Sequence, residues 1–222
     1  MTNNNINPYW FRCWGNKKQM REQTMSKVLF VKINDRPEDQ AISVQMYNEF
    51  LNTFKETTPN EEIIELDLFK VNLPYYGNSA IAGGFKRSKG LELTAEEAKA
   101  TDIVEHYLKQ FLDAEKVVFA FPLWYYTVPA PLITYVSYLS QARKTQISNK
   151  KVAILCARGS DYSSEHMASK EMGVNFVTNW LHYRGITELE TVVIEGHTQY
   201  PGLSQGIIED GLEMVVKVAS DF

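Results

Sequence analysis

From Met25 onward the chain alternates between short unbroken apolar runs and longer stretches whose apolar residues recur three and four apart. The first run, Val28–Ile33, is β-rich and interrupted only by Lys32. It stops at Asn34-Asp35-Arg36-Pro37, a turn cluster. Val44, Tyr47, Leu51 and Phe54 then fall on one helical face and predict a helix over Ser43–Lys55. Glu62–Asp67 predicts a second strand. Thr94-Ala95-Glu96-Glu97 is a capping box that opens a long helix reaching about Leu112. Lys116–Phe121 is a third strand, and Pro131–Gln141 a short helix with proline in its first turn. Val152–Cys156, a helix over 166–183, a strand Glu188–Ile194 and a last helix over 204–219 complete the pattern. Phe69–Leu93 carries no clear period and reads as a long irregular insertion, a class of loop that is usually functional or mobile.

Five strands separated by helices imply right-handed crossovers and a parallel sheet, an α/β doubly wound fold. The strands read as apolar on both faces, as a sheet covered by helices on both sides requires. In an open sheet of order 2-1-3-4-5, ligands bind at the carboxyl ends of the strands, where the winding reverses between strands one and three. The loops that matter are therefore those after Ile33, Phe121 and Cys156.

Composition narrows the function classes. The chain has 222 residues, enough for one large core, and its 44% apolar and 23% charged residues exclude a disordered or membrane class. A net charge of −4 gives no general attraction to nucleic acid. The expectation is no nucleic-acid partner and no membrane, since no apolar run approaches the roughly 18 residues that span a bilayer. Cys13 and Cys156 cannot make a disulfide framework, so a reducing cytoplasm is the natural setting. Residues 1–24 follow neither period and read as a disordered N-terminal extension before a single domain over 25–222. No GxGxxG, Walker loop, nucleophile elbow or CxxC is present, and His106, His166, His182 and His197 lack metal-ligand spacing. His106 reads as a surface residue. His197 follows strand five at its carboxyl end, where it either borders the site or is an ordinary loop histidine.

The three loops carry candidate chemistry. The first leads into the start of a helix, where unpaired N–H groups and the helix dipole favour an anion such as phosphate. Ser43 there either caps the helix or donates to that anion. The second, Pro122-Leu123-Trp124-Tyr125-Tyr126-Thr127-Val128-Pro129-Ala130-Pro131, holds three adjacent aromatics between prolines. That aromatic surface must bury itself against something, and a flat tricyclic ring would suit it. In the third, Gly159 permits close backbone approach and Arg158 offers positive charge, unless Asp161 pairs with it.

SKVLFVK, Asp67-Leu68, FPLW followed by TVPAPL, ARGSDYS and VVIEGH, in that order, resemble segments of the FMN-dependent NADH azoreductases, also called FMN-dependent NADH:quinone oxidoreductases. The resemblance spans Met25 to Phe222. It implies a flavodoxin-like fold, bound FMN, NADH or NADPH as donor, quinone or azo acceptors and a homodimer with the site near the interface. The flavin carries the chemistry, so no catalytic side chain is implied. The implied phosphate loop is Ala41, Ile42 and Ser43 with Asn34 nearby. The implied ring contacts are Pro122, Leu123, Trp124, Tyr125 and Tyr126, with Ala157, Arg158, Gly159 and Ser160. Two departures stand out. Tyr125 replaces the family's asparagine, which both donates and accepts hydrogen bonds. The segment between Lys144 and Lys150 is shorter than the family's covering hairpin. Both departures motivate an alternative, a non-catalytic relative that keeps the fold as a binding protein.

Overall fold

The computed structural model describes residues 26–222 apart from 143 and 148. The extension 1–24, Met25 and Cys13 lie outside the described residues. In chain order the elements are β1 (Lys27–Lys32), α1 (Ile42–Thr57), β2 (Glu62–Asp67), α2 (Asn78–Ser88), α3 (Ala95–Asp113), β3 (Lys116–Pro122) and α4 (Ala130–Leu139). Then follow α5 (Lys144–Ile147), β4 (Lys151–Arg158), α6 (Glu165–Ala168), α7 (Val174–Arg184), β5 (Glu188–Glu195) and α8 (Ser204–Asp221). All strand pairs are parallel, in the order β2-β1-β3-β4-β5. This is the expected doubly wound sheet.

Alternation along the central strands divides the core in two. Val28 and Phe30 of β1, with Val118 and Ala120 of β3, face α1 and α8, where Phe50, Phe54 and Phe222 pack edge-on. Leu29 and Val31, with Val117, Phe119 and Phe121, face the other layer, built from α3, α4 and α7 around Phe111, Tyr135 and Leu181. Burial on both faces holds for β1, β3 and β4 only. The edge strands β2 and β5 are largely half-buried or exposed, because each has a neighbour on one side alone.

Two expectations need correction. The stretch 69–93 is not wholly irregular, since it contains α2, which packs along α3. Gly83 makes that possible, because a Cβ there would lie 2.2 Å from Thr101 Oγ1 and 2.7 Å from the Glu97 carbonyl. Lys86–Glu97 and Arg87 with Asp102 and Glu105 tie the same pair of helices. The helix expected over 166–183 is broken into α6 and α7. Glu171 stops it by folding its carboxylate back onto the Gly173, Val174 and Asn175 N–H groups at 2.8, 2.7 and 3.1 Å. The capping box at Thr94 and Glu97 forms as expected.

Candidate functional site

The first wall of the site is the turn from β1 into α1. Asn34 is buried, and its side chain works in two directions. Its amide donates to Ser43 Oγ at 3.0 Å, and its Oδ1 accepts from the Arg36 N–H at 3.0 Å. A short 3-10 turn over Glu38–Gln40 then delivers the chain to Ala41, the N-cap of α1. Ala41 has extended φ/ψ suited to a cap but no side chain able to provide one. Ser43 is therefore not the N-cap, which removes the simpler reading of that residue. Its hydroxyl is placed inside the first turn, held by Asn34.

The second wall is the loop after β3. Trp124 and Thr127 exchange two backbone hydrogen bonds, at 2.9 and 3.1 Å, closing a two-residue turn. Its central residues, Tyr125 and Tyr126, have φ of 47° and 71°. A turn with positive φ at both positions normally takes Asn or Gly. The expectation that the loop's aromatic surface buries itself is met within the chain by Trp124 alone, which is half-buried, while Tyr126 is 44% exposed. Trp124 sits edge-on to Phe69, and Tyr126 to Tyr162, at centroid distances of 6.1 and 6.4 Å. Tyr125 is 97% exposed.

The third wall follows β4. Arg158 pairs not with Asp161 but with Glu195, its register partner on β5, through Nε and Nη2 to one carboxylate oxygen at 2.9 and 2.8 Å. That oxygen also accepts from the Tyr162 N–H at 2.9 Å. Glu171 lies 3.8 Å from the same guanidinium, and the Tyr162 ring lies across it at 4.9 Å. Asp161 instead accepts from the Ser163 N–H and Tyr200 OH, bonds that hold its carboxyl below the usual range. Gly159 has a further use besides the one expected. A Cβ there would lie 2.8 Å from Thr198 Oγ1, so the glycine lets this loop close on the one after β5. Thr198 and Gln199 both donate backbone N–H groups to the Gly159 carbonyl.

These walls enclose two adjoining cavities. A crevice of about 690 Å³ is lined by Asn34, Ala41, Ile42, Ser43, Pro122, Leu123, Trp124, Ala157 and Gly159, among others. A second cleft, of about 500 Å³, is lined by Tyr125, Tyr126, Arg158, Ser160 and Tyr162 and shares Leu123, Gly159 and Thr198 with the first. Every residue singled out from sequence lines one or the other. What sequence reading undervalued is the loop after β5, which brings His197, Thr198, Pro201 and Ser204 to the crevice. The available signal was β5's place beside β4. His197 Nδ1 is buried with no hydrogen-bond partner, and burial lowers the imidazole pKa. His106 is exposed, as expected. No cluster of His, Cys, Asp and Glu able to hold a metal occurs among the described residues, and none of their helices is long and apolar enough to cross a membrane.

The arrangement suits an anion joined to a flat ring. Phosphate would meet the uncapped start of α1 and Ser43. A planar ring would lie toward the tyrosine turn and the backbone after β4. Comparison with known proteins agrees with this geometry. Residues 26–217 match the family model for the flavodoxin-like fold. An FMN-dependent NADH:quinone oxidoreductase from Bacillus cereus is 64% identical over 89% of this chain and all of its own length. A crystal structure of an azoreductase from Bacillus anthracis superposes with a TM-score of 0.86 at 50% identity, covering 89% of this chain and all of that one. A second Bacillus anthracis structure, an FMN-dependent NADH-azoreductase in complex with FMN, is 22% identical and shares the fold, with a TM-score of 0.76 over 88% of this chain and all of its own.

Proposed function

The chain belongs to the flavodoxin-like family of FMN-dependent NADH:quinone oxidoreductases, and from that premise we propose that it binds FMN in this crevice and uses it to pass hydride from NADH to quinones and azo compounds. The observation that carries the reading is the continuity of the two cavities. One end offers uncapped helix N–H groups with Ser43 and Asn34, and the other offers the tyrosine turn and the backbone of Arg158–Ser160. A phosphate-bearing planar cofactor matches both ends at once. FMN held there would supply the hydride-transfer chemistry between NADH and the second substrate. The protein's own contributions are to anchor the phosphate, to orient the ring and to hold an acceptor against it.

Tyr125, together with the shortened segment between Lys144 and Lys150, raised the alternative of a non-catalytic relative, the tyrosine because it could reshape or crowd the ring site. The Tyr125 side chain is 97% exposed, and the cleft it borders has about 500 Å³. What disfavours the alternative is the 64% identity to an FMN-dependent NADH:quinone oxidoreductase over the whole length of that relative. We further infer a homodimer and a cytoplasmic setting. Exposed apolar side chains near the cleft, Met172 and Leu203 among them, support the first. The NADH named for the relatives and the free, buried Cys156 support the second.

Absorbance spectra of the purified protein with and without added FMN test the reading directly. The expected protein is yellow or becomes so, and oxidises NADH when benzoquinone is supplied. Protein that stays colourless with FMN in excess overturns it.

A further inference from the structure

One buried amide decides how the hydroxyl in the first turn of α1 is used. Asn34 follows β1 and is 2% exposed. The Arg36 N–H faces its side chain at 3.0 Å, and a backbone N–H can only donate, so the atom it meets is Oδ1. The other arm of the amide is then Nδ2, which lies 3.0 Å from Ser43 Oγ. An amide nitrogen can only donate in its turn, so the serine oxygen accepts. Ser43 therefore keeps its own hydroxyl proton for a different partner. Among the described residues no group accepts that proton, although Ser43 is itself 2% exposed and lines the crevice. The backbone beside it is in the same condition. The Val44 and Gln45 N–H groups make the first bonds of α1, both to the Ala41 carbonyl, and those of Ile42 and Ser43 have no partner among the described residues. Arg36 and Asp39, elsewhere on this turn, add one charge of each sign to the crevice lining.

Resting on the reading of this crevice as the FMN site, we propose that Asn34 is a positioning residue, which by committing its amide to the Ser43 oxygen reserves the Ser43 hydroxyl proton for the phosphate. The resemblance counted Asn34 among the groups near the phosphate, and in this chain its amide acts through Ser43. A phosphate monoester is ionised at neutral pH and presents acceptor oxygens, so it fits a helix start that offers donors. The order is amide N–H to serine oxygen, then serine O–H to phosphate oxygen. Each bond in such a chain polarises the next, and the last one is strengthened by the charge on its acceptor. A hydroxyl already held in one orientation also loses less freedom when the ligand arrives than one free to rotate. A side chain at position 34 that accepts where Asn34 donates would reverse the order and draw the serine proton away from the ligand.

Asn34→Asp makes that reversal. One carboxylate oxygen still accepts the Arg36 N–H, and a negative charge suits a helix start, so the fold is kept. The other oxygen replaces Nδ2 and accepts the Ser43 proton. FMN and riboflavin, which lacks the phosphate, are titrated by flavin fluorescence into the wild type, Asn34→Asp, Ser43→Ala and the double variant. High salt, about 0.5 M NaCl, screens the added charge. Ser43→Ala should weaken FMN about tenfold, and Asn34→Asp at least as much. Once Ser43 is alanine, the Asn34→Asp substitution should cost FMN no more than about threefold, because only charge repulsion is left. Riboflavin affinity should change less than about twofold throughout, which a general disturbance of the fold would not allow. If Asn34→Asp does not fold, Asn34→Ala, which frees the Ser43 hydroxyl to rotate, should weaken FMN about threefold and spare riboflavin. The proposal is overturned by an Asn34→Asp penalty of equal size with and without the Ser43 hydroxyl, by equal losses for the two flavins, or by a Ser43→Ala variant with wild-type FMN affinity. FMN binding with the expected coupling, but no NADH oxidation when benzoquinone is supplied, overturns the reductase reading and leaves the role of Asn34 standing. Wild-type protein that takes up no FMN overturns both.

Discussion

α1 and α7 both begin beside the crevice, and their first turns are completed in opposite ways. At α7 the protein supplies the anion itself. The Glu171 carboxylate accepts three backbone N–H groups and lies close to Arg158. Gly173 lets that turn press against Leu123, since a Cβ there would lie 2.4 Å from the leucine Cδ1. At α1 the N-cap is Ala41, no side chain closes the turn, and the opening faces the larger cavity. Both ends carry the same partial positive charge from unpaired N–H groups. The fold completes the first of these ends for itself, and the second is the end to which the proposed function assigns the phosphate.

The largest expected effect comes from breaking the completed end. Glu171→Ala strips three buried or half-buried N–H groups of their partner and takes one carboxylate from beside Arg158. Losses of this kind cost about 3 kcal/mol. Thermal unfolding should fall by roughly 6–12 °C for a domain of this size. A shift below about 2 °C would mean that water replaces the carboxylate and that α7 is as open as α1.

Closing the open end should do the reverse. Asp at position 41 has the extended backbone of an N-cap and a carboxylate able to reach the N–H groups of the first turn. Ala41→Asp is expected to stabilise the FMN-free protein by about 1 kcal/mol. The same carboxylate would occupy the phosphate position and repel it, so FMN affinity should drop at least about tenfold, or about 1.4 kcal/mol. Fluorescence titration with FMN measures the second effect and thermal unfolding the first. An unchanged FMN affinity would place the phosphate elsewhere.

What was legible in the sequence follows the same division. Lys116–Phe121 and Val152–Cys156 announced themselves because strands buried on both faces must be apolar throughout. Strand order pointed to the three loops, the family resemblance picked out thirteen positions in them, and each of those lines one of the two cavities. The features that escaped depend on contacts distant in sequence. α2 was hidden by Gly83 and Gly84, poor helix formers, of which the first is needed for the approach of Thr101. The break before α7 was hidden because residues on both sides favour a helix, and only the folding-back of Glu171 ends it. Asp161 was the partner weighed for Arg158 because it is near in sequence, whereas Glu195, the partner it has, is opposite only in the β4–β5 register.

Tyr125 offers a smaller and independent test of how the site is held. Its φ of 47° costs a tyrosine about 1 kcal/mol relative to residues that tolerate the left-handed region, and its exposed ring recovers little in this chain alone. Tyr125→Asn should therefore raise the unfolding temperature by about 2–4 °C. No rise would show that the ring makes up the strain by a contact, such as one across a dimer. Measuring the same variant at two protein concentrations separates those cases.

The smallest expected effect lies at His197, which shares the crevice with the open end of α1. Its Nδ1 is buried without a partner, and burial lowers the folded-state pKa below the ordinary value of 6.5. As pH falls through 6.5 the unfolded chain takes up a proton that the folded chain resists, so unfolding is favoured until the folded pKa is also passed. The FMN-free protein should lose stability between neutral pH and pH 5, and His197→Gln should remove that part of the loss. A phosphate held at α1 would favour the imidazolium across the same crevice. FMN-loaded protein should then show a weaker dependence on His197 over this range, read as the difference between wild type and His197→Gln in thermal unfolding at pH 5 and 7. If loading leaves that difference unchanged, the histidine senses burial alone and the anion lies out of its reach.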